Sequence, residues 1–194
     1  MGVKFFLIFL SALTTQNIVF AYFLGICPYL GVSRKLDTAL GMGMAVTFVM
    51  TLTALITWPI FYKILQPHDL VYLQIPVFIL VIASLVQFLE MYFRKALPHL
   101  YTALGIYLPL ITTNCAILGV ALFMILKKFG YILSVVYAFS TGLGFAMALL
   151  IMAGIREELE MAPLPESLKG APITLIIAGL LALAFMGFSG LVKG

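Results

Sequence analysis

Charge is what this sequence has least of. Only 9% of its 194 residues are Asp, Glu, Lys or Arg, against about a quarter in a soluble domain. Hydrophobic residues make up 64%. A chain this apolar cannot cover its surface in water, so it reads as an integral membrane protein with the lipid bilayer as its solvent. Its cations are scattered, and a nucleic-acid surface would need clustered Lys and Arg; no nucleic-acid partner is expected. Cysteine is nearly absent, with only Cys27 and Cys115, too few for a disulfide framework. The two histidines, His68 and His99, fall in joints between apolar runs. No Asp, Glu, Lys, Arg or His lies in the interior of any apolar run. Glu90, near the end of one, is the nearest and reads as an interfacial charge. Proton relays and pumps usually place an ionisable group inside the membrane. An ion crossing here would have to be handled by backbone carbonyls and Thr or Asn side chains.

What is present is a series of long apolar runs. A span needs about 20 mostly apolar residues, and six segments qualify: Phe5–Cys27, Thr38–Tyr62, Leu70–Tyr92, Leu100–Leu126, Tyr131–Ile155 and Ala171–Val192. Lys4 and the run after it look like a signal peptide at first sight. The run continues through Phe20 to Leu24 with no small-residue cleavage site, so it is read as a retained span. Backbone polar groups cannot reach water in lipid, so each span should be helical. The segments of about ten alternating residues that a β-barrel needs are missing.

The two halves of the chain repeat. Leu13-Thr14-Thr15-Gln16-Asn17 lines up with Ile111-Thr112-Thr113-Asn114-Cys115, Gly41-Met42-Gly43 with Gly142-Leu143-Gly144, and Pro76-Val77-Phe78-Ile79 with Pro172-Ile173-Thr174-Leu175. Each half holds three spans, and an odd number turns the second half upside down. The expected fold is therefore an all-α polytopic membrane protein. Its six transmembrane helices form one membrane domain, 1–194, of two inverted three-helix repeats, 1–97 and 98–194. Such repeats commonly place functional sites at mid-membrane on broken helices. Gly41-Met42-Gly43 and Gly142-Leu143-Gly144 are too short for nucleotide loops and read as close helix packing.

Lys4, Lys63, Lys127, Lys128 and Lys193 fall on the side of the termini. Arg34, Lys35, Arg94, Lys95, Arg156 and Lys169 fall on the other. Six cations against five put both termini outside by the positive-inside rule. The loop from Arg156 to Gly170, with its four glutamates, is then cytoplasmic.

The densest polarity within the spans lies at Thr14–Asn17 and at Thr112, Thr113 and Asn114, beside Cys115. Polar side chains in lipid need partners. Cys27 lies between Gly25 and Pro28, a combination that breaks helices. Cys27 is roughly 33 Å along an unbroken first helix, whereas Cys115 is nearer mid-depth in the fourth. For the two to meet, the first helix must break or tilt. Candidate breaks are Thr14–Asn17, Gly25–Pro28 and, in the fourth span, Pro109. Two buried cysteines can be plain packing or a disulfide. Zinc and iron–sulfur clusters each want four ligands, so a cluster here would need a second chain.

The residues also carry a resemblance. Phe23-Leu24-Gly25-Ile26-Cys27-Pro28-Tyr29-Leu30-Gly31-Val32-Ser33-Arg34-Lys35 and Gly105-Ile106-Tyr107-Leu108-Pro109-Leu110-Ile111-Thr112-Thr113-Asn114-Cys115-Ala116 resemble the two cysteine motifs of the RnfA/NqrE-type family of membrane proteins. Gly154-Ile155-Arg156-Glu157 and Ala184–Gly190 match later blocks, so the resemblance covers essentially the whole chain. Cys27-Pro28, Thr112-Thr113 and Gly119-Val120-Ala121-Leu122 favour the A-type members of the Rnf ion-translocating electron-transport complex (RnfA, called RsxA in some bacteria).

The resemblance implies six helices in an inverted repeat, in the cell inner membrane; by the candidate breaks above, the first and fourth helices are expected to be broken. It implies that Cys27 and Cys115 ligate iron of one [2Fe–2S] cluster shared with a homologous E-type subunit, which supplies the other two cysteines. Gly25, Pro28, Thr112, Thr113 and Asn114 would support those ligands. The B, C, D and G members of the Rnf complex complete a translocase that moves electrons between ferredoxin and NAD, coupled to Na+ or H+. The competing readings are a small-solute or ion transporter with no redox centre, and a structural protein of the complex with inert cysteines.

Overall fold

The computed structural model describes residues 2–13, 16–96, 108–161, 165 and 168–189. Among them every regular element is helical. In chain order these are α1 (Gly2–Leu13), α2 (Ile18–Tyr22), α3 (Ile26–Val32), α4 (Leu36–Ile60), α5 (Gln74–Ala96), α6 (Leu108–Thr112), α7 (Cys115–Leu126), α8 (Tyr131–Glu160) and α9 (Ala171–Ser189). Three apolar stretches are long enough to cross a membrane: Leu36–Leu65, Val71–Tyr92 and Tyr131–Glu160. Leu110–Leu126 and Ala171–Gly187 are shorter apolar helices. The chain is thus an all-helical polytopic membrane protein. Thr14, Thr15 and residues 97–107, with the expected start of the fourth span, lie outside the described residues.

The first apolar run is three short helices rather than one. The expected break at Gly25–Pro28 sits slightly earlier. Phe23 (φ 55°) and Gly25 (φ 83°) are both left-handed and separate α2 from α3. Cys27 and Pro28 lie inside α3, whose end at Val32 is five residues beyond the predicted end of the span. Pro28 is in the first turn, where the missing N–H has no helical acceptor to lose. Pro109 is the second described residue of α6, and the residues before Leu108 lie outside the described residues. The fourth span breaks at Thr113 and Asn114. Pro59, inside α4, does act on its helix. The helix widens into a π-turn at Phe61–Leu65, where the Gln66 N–H donates to Phe61 O at 2.9 Å.

α4 and α8 form the spine, running antiparallel through two glycines. A Cβ on Gly43 would lie 2.8 Å from Ala146 Cβ, and one on Gly142 would lie 2.8 Å from Thr47 Cα. In lipid, helices attract each other largely by close packing, which small residues permit. The expected packing role of these glycines therefore holds, at Gly43 and Gly142. Hydroxyls along the spine turn back on their own helices: Thr47 donates to Gly43 O, Thr57 to Thr53 O and Thr141 to Tyr137 O, at 2.6–2.8 Å. This satisfies polar groups that lipid cannot.

The two ends of the bundle differ. At one, Trp58 Nε1 donates to Phe129 O at 3.0 Å, and its ring packs on Tyr62 and Tyr131, 4.5 and 5.2 Å away. Aromatic rings with a polar edge favour this membrane–water boundary. At the other, α8 runs five residues past the predicted end of the fifth span. Arg156 Nη1 there donates to Leu30 O and Ser33 Oγ, both at 2.9 Å. A guanidinium at the C-terminal end of α3 satisfies a carbonyl the helix leaves open and complements its dipole.

Candidate functional site

The two helix breaks are built alike. Asn17 is the N-cap of α2, and its side chain accepts from Val19 N at 3.0 Å. Asn114 is the N-cap of α7, and its side chain accepts from Ala116 N at 3.0 Å. Both asparagines are buried. Asparagine suits the position because its short side chain reaches an N–H that the first helical turn leaves unpaired. Asn114, one residue before Cys115, plays the capping part in α7 that Asn17 plays in α2.

The breaks differ in what the rest of each amide does. Asn17 Nδ2 donates to Gly144 O at 2.8 Å, tying the first break to the middle of α8. Asn114 Nδ2 is buried and has no hydrogen-bond partner among the described residues. Gln16, just before the first cap, accepts from Lys127 Nζ at 2.8 Å. Lys127 Nζ also stands 5.1 Å from the Tyr137 ring centroid. The lysine that ends the fourth span therefore turns back toward the first break. Its partners lie far along the chain, so no local pattern signals it.

Between these contacts, residues 16–25 run antiparallel to α7. Gln16 lies beside Lys127 at one end of α7. At the other end the Gly25 N–H donates to Cys115 Sγ at 2.9 Å. Ile18 and Leu24 both pack against Gly119, where a Cβ would come within 2.6 Å of Leu24 Cδ1. Gly25 itself is clamped: a Cβ there would lie 2.7 Å from Phe145 Cε2 and 3.2 Å from Ala116 Cβ. Only glycine combines φ near +83° with that clearance.

The double break brings the two cysteine motifs together. Cys115 is the first residue of α7, and Cys27, the second of α3, follows two residues after the amide that touches the Cys115 sulfur. Two residues span at most about 7 Å between Cα atoms. Both cysteines are free and exposed on the surface of the chain. Each occupies the first turn of a helix, where backbone N–H groups are unpaired and the dipole favours negative charge. α7 has 12 residues, so Cys115 is roughly 18 Å below the Lys127 end, near the middle of a core about 30 Å thick.

The remaining predicted site residues surround this point. Gly25 and Pro28 are buried in and beside the first turn of α3; Thr112 ends α6 half-buried, and Thr113 is exposed in the turn before the Asn114 cap. Among the described residues no three His, Cys, Asp or Glu side chains gather to hold a metal. What this chain offers is a pair of sulfurs at mid-depth, facing outward, with one backbone donor already on Cys115.

Comparison with known proteins covers nearly the whole chain. Residues 5–192 match the model of the Rnf-Nqr family of membrane proteins. The chain is 56% identical over 188 residues to the A subunit of the ion-translocating oxidoreductase complex of Syntrophotalea carbinolica, covering 97% of each chain. It is 53% identical over 187 residues to the A subunit of the Na+-translocating ferredoxin:NAD+ oxidoreductase complex of Acetobacterium woodii, covering 96% of this chain and 97% of that one. The corresponding protein of an Azoarcus species is 52% identical over 97% of both.

Proposed function

The chain belongs to the Rnf-Nqr family of membrane proteins, and from this premise we propose that it is the A-type component of an ion-translocating ferredoxin:NAD oxidoreductase. In this reading Cys27 and Cys115 supply two of four thiolate ligands to an intramembrane [2Fe–2S] cluster. A homologous E-type subunit supplies the other two, and the B, C, D and G components complete the assembly. The observation that carries the proposal is the Gly25 N–H on Cys115 Sγ. It joins the two cysteine motifs, and both cysteines are exposed on the surface of the chain. A pair of sulfurs cannot close a site that needs four ligands, so an outward-facing pair fits a cluster shared across an interface. The unpartnered Asn114 Nδ2 beside Cys115 is a further donor of the kind that tunes such a site.

When bound, the cluster would supply one-electron transfer across the low-dielectric core. This chain's own residues do the rest. The Asn17 and Asn114 caps hold two helix N-termini open in the apolar layer. The Gly25 N–H offers a hydrogen bond to sulfur, which stabilises negative charge on a ligated thiolate. Phe145 and Ala116 press on Gly25 and fix that amide. The two inverted repeats, six spans and outside termini expected from sequence belong to the same proposal. Its support is the matched Asn caps and the reciprocal Gly43 and Gly142 contacts across the spine.

The test is to replace Cys27 and Cys115 singly with alanine in the assembled complex, then measure iron, sulfide and the EPR spectrum of the reduced enzyme. The expected result is loss of two irons and of one [2Fe–2S] signal in each variant, with the complex still assembled. Unchanged iron and an unchanged spectrum in either variant would refute the ligand assignment. Solute uptake by the chain alone in liposomes, indifferent to both substitutions, would favour a transporter instead.

A further inference from the structure

At the end of the bundle opposite the Trp58 cluster, three cations converge on one cavity. It has a volume of about 460 Å³ and is lined by Arg34, Arg156, Leu159, Glu160, Lys169, Gly170 and Ile173. The cations come from three separate places. Arg34 follows α3, Arg156 is near the end of α8, and Lys169 precedes α9. The whole chain carries 11 Lys and Arg, so three around one cavity is a concentration, and Glu160 is the one carboxylate among the lining residues. Among the described residues no carboxylate is in ion-pair contact with Arg34 or Lys169. Arg156 is already anchored through Nη1 on Leu30 O and Ser33 Oγ. A guanidinium has five N–H donors, so this anchoring fixes its plane and leaves others available.

The position matters as much as the charge. The cavity lies between the C-terminal end of α8 and the start of α9, both apolar helices, so helices that cross a bilayer would bring it to the headgroups. Leu159 and Ile173 give it an apolar wall beside the cations. Like charges gathered at a partly desolvated surface repel one another, and an anion relieves that repulsion. Arginine and lysine together match the oxygens of a phosphate, the arginine by paired donors and the lysine as a point charge.

We propose that this cavity is a phosphate-binding site at the membrane surface, taking the phosphate of an anionic phospholipid headgroup or a free phosphate. It is independent of the cysteine site and of the cluster reading. A phospholipid would use both features of the cavity, its phosphate on Arg34, Arg156 and Lys169 and its glycerol end along Leu159 and Ile173. Basic pockets between membrane helices bind headgroups in this way.

The experiment uses the intact complex, wild type and with Arg34→Gln, Lys169→Gln or both, leaving Arg156 for its structural contacts. Native mass spectrometry reads phospholipid retained on this chain after exchange from nanodiscs of phosphatidylglycerol or of phosphatidylcholine alone. A parallel titration with inorganic phosphate reads displacement and direct binding. Retention of the anionic lipid should weaken about fivefold for each cation removed, with the complex still assembled. Binding of phosphatidylglycerol but not inorganic phosphate identifies the lipid as the source. Binding of inorganic phosphate alone identifies the free ion. Retention of neither, or retention unchanged in the double variant, overturns the proposal.

Discussion

Replacing Gly25 with alanine is the sharpest single perturbation of the cysteine site, because it adds one methyl group and touches neither sulfur. Two costs combine. A non-glycine residue at φ 83° gives up about 1–2 kcal/mol to the left-handed conformation. The new Cβ would also sit 2.7 Å from Phe145 Cε2 and 3.2 Å from Ala116 Cβ. Phe145 and Ala116 are fully buried, so neither can swing aside freely, and overpacking of this kind costs about 1–3 kcal/mol. The sum, about 2–5 kcal/mol, is a large part of what holds a typical fold together. If the strain is released by moving Gly25, its N–H leaves Cys115 Sγ. Under the proposed ligation, losing a hydrogen bond to sulfur destabilises the reduced, more negative state. The Gly25→Ala complex should therefore unfold at lower temperature and show a more negative midpoint potential for the [2Fe–2S] signal. Gly154→Ala is the control: a Cβ there meets nothing within 4 Å, and no loss is expected. A Gly25→Ala protein that melts with the wild type and keeps its potential would refute the clamped, left-handed placement of this amide.

Other outcomes follow from the same contacts. Asn17→Ala removes both the cap on Val19 N and the bond to Gly144 O, for about 1.5–3 kcal/mol in total. Asn114→Ala removes a cap but also an unpaired buried donor, so denaturation in graded detergent should show it costing less than Asn17→Ala; the reverse order would contradict the asymmetry of the two breaks. Gly142→Val would drive a side chain into Thr47 Cα, and the spine cannot yield as a flexible side chain would. A loss at the upper end of about 1–3 kcal/mol is expected in thermal melts. Arg156→Gln removes the charge-assisted bonds to Leu30 O and Ser33 Oγ. Because the site is partly exposed, about 1–2 kcal/mol is expected, read as faster proteolysis near residues 30–36.

Much of this was legible in the sequence. Charge-free runs of the right length announced membrane helices because lipid penalises every unpaired polar group. Polar residues inside those runs marked the breaks for the same reason, and the structure breaks at Asn17 and Asn114. Proline was less legible. A proline in a first turn gives up no hydrogen bond, and only the helix boundary reveals that Pro28 stands in one. The capping role of Asn17 and Asn114 was not legible, because Thr-Thr pairs are visible as letters whereas a cap is a property of backbone angles.

By itself the sequence determined the solvent, the helical class, the polar breaks and the scarcity of ligands, since each depends on local composition and length. Only the tertiary structure decided which groups meet. The bonds of Asn17 to Gly144, Lys127 to Gln16, Gly25 to Cys115 and Arg156 to Leu30 each span 90 or more residues. None is encoded in a local pattern. They exist because a doubly broken first segment folds down beside α7 and against α8, and that path is set by how the helices pack around two glycines.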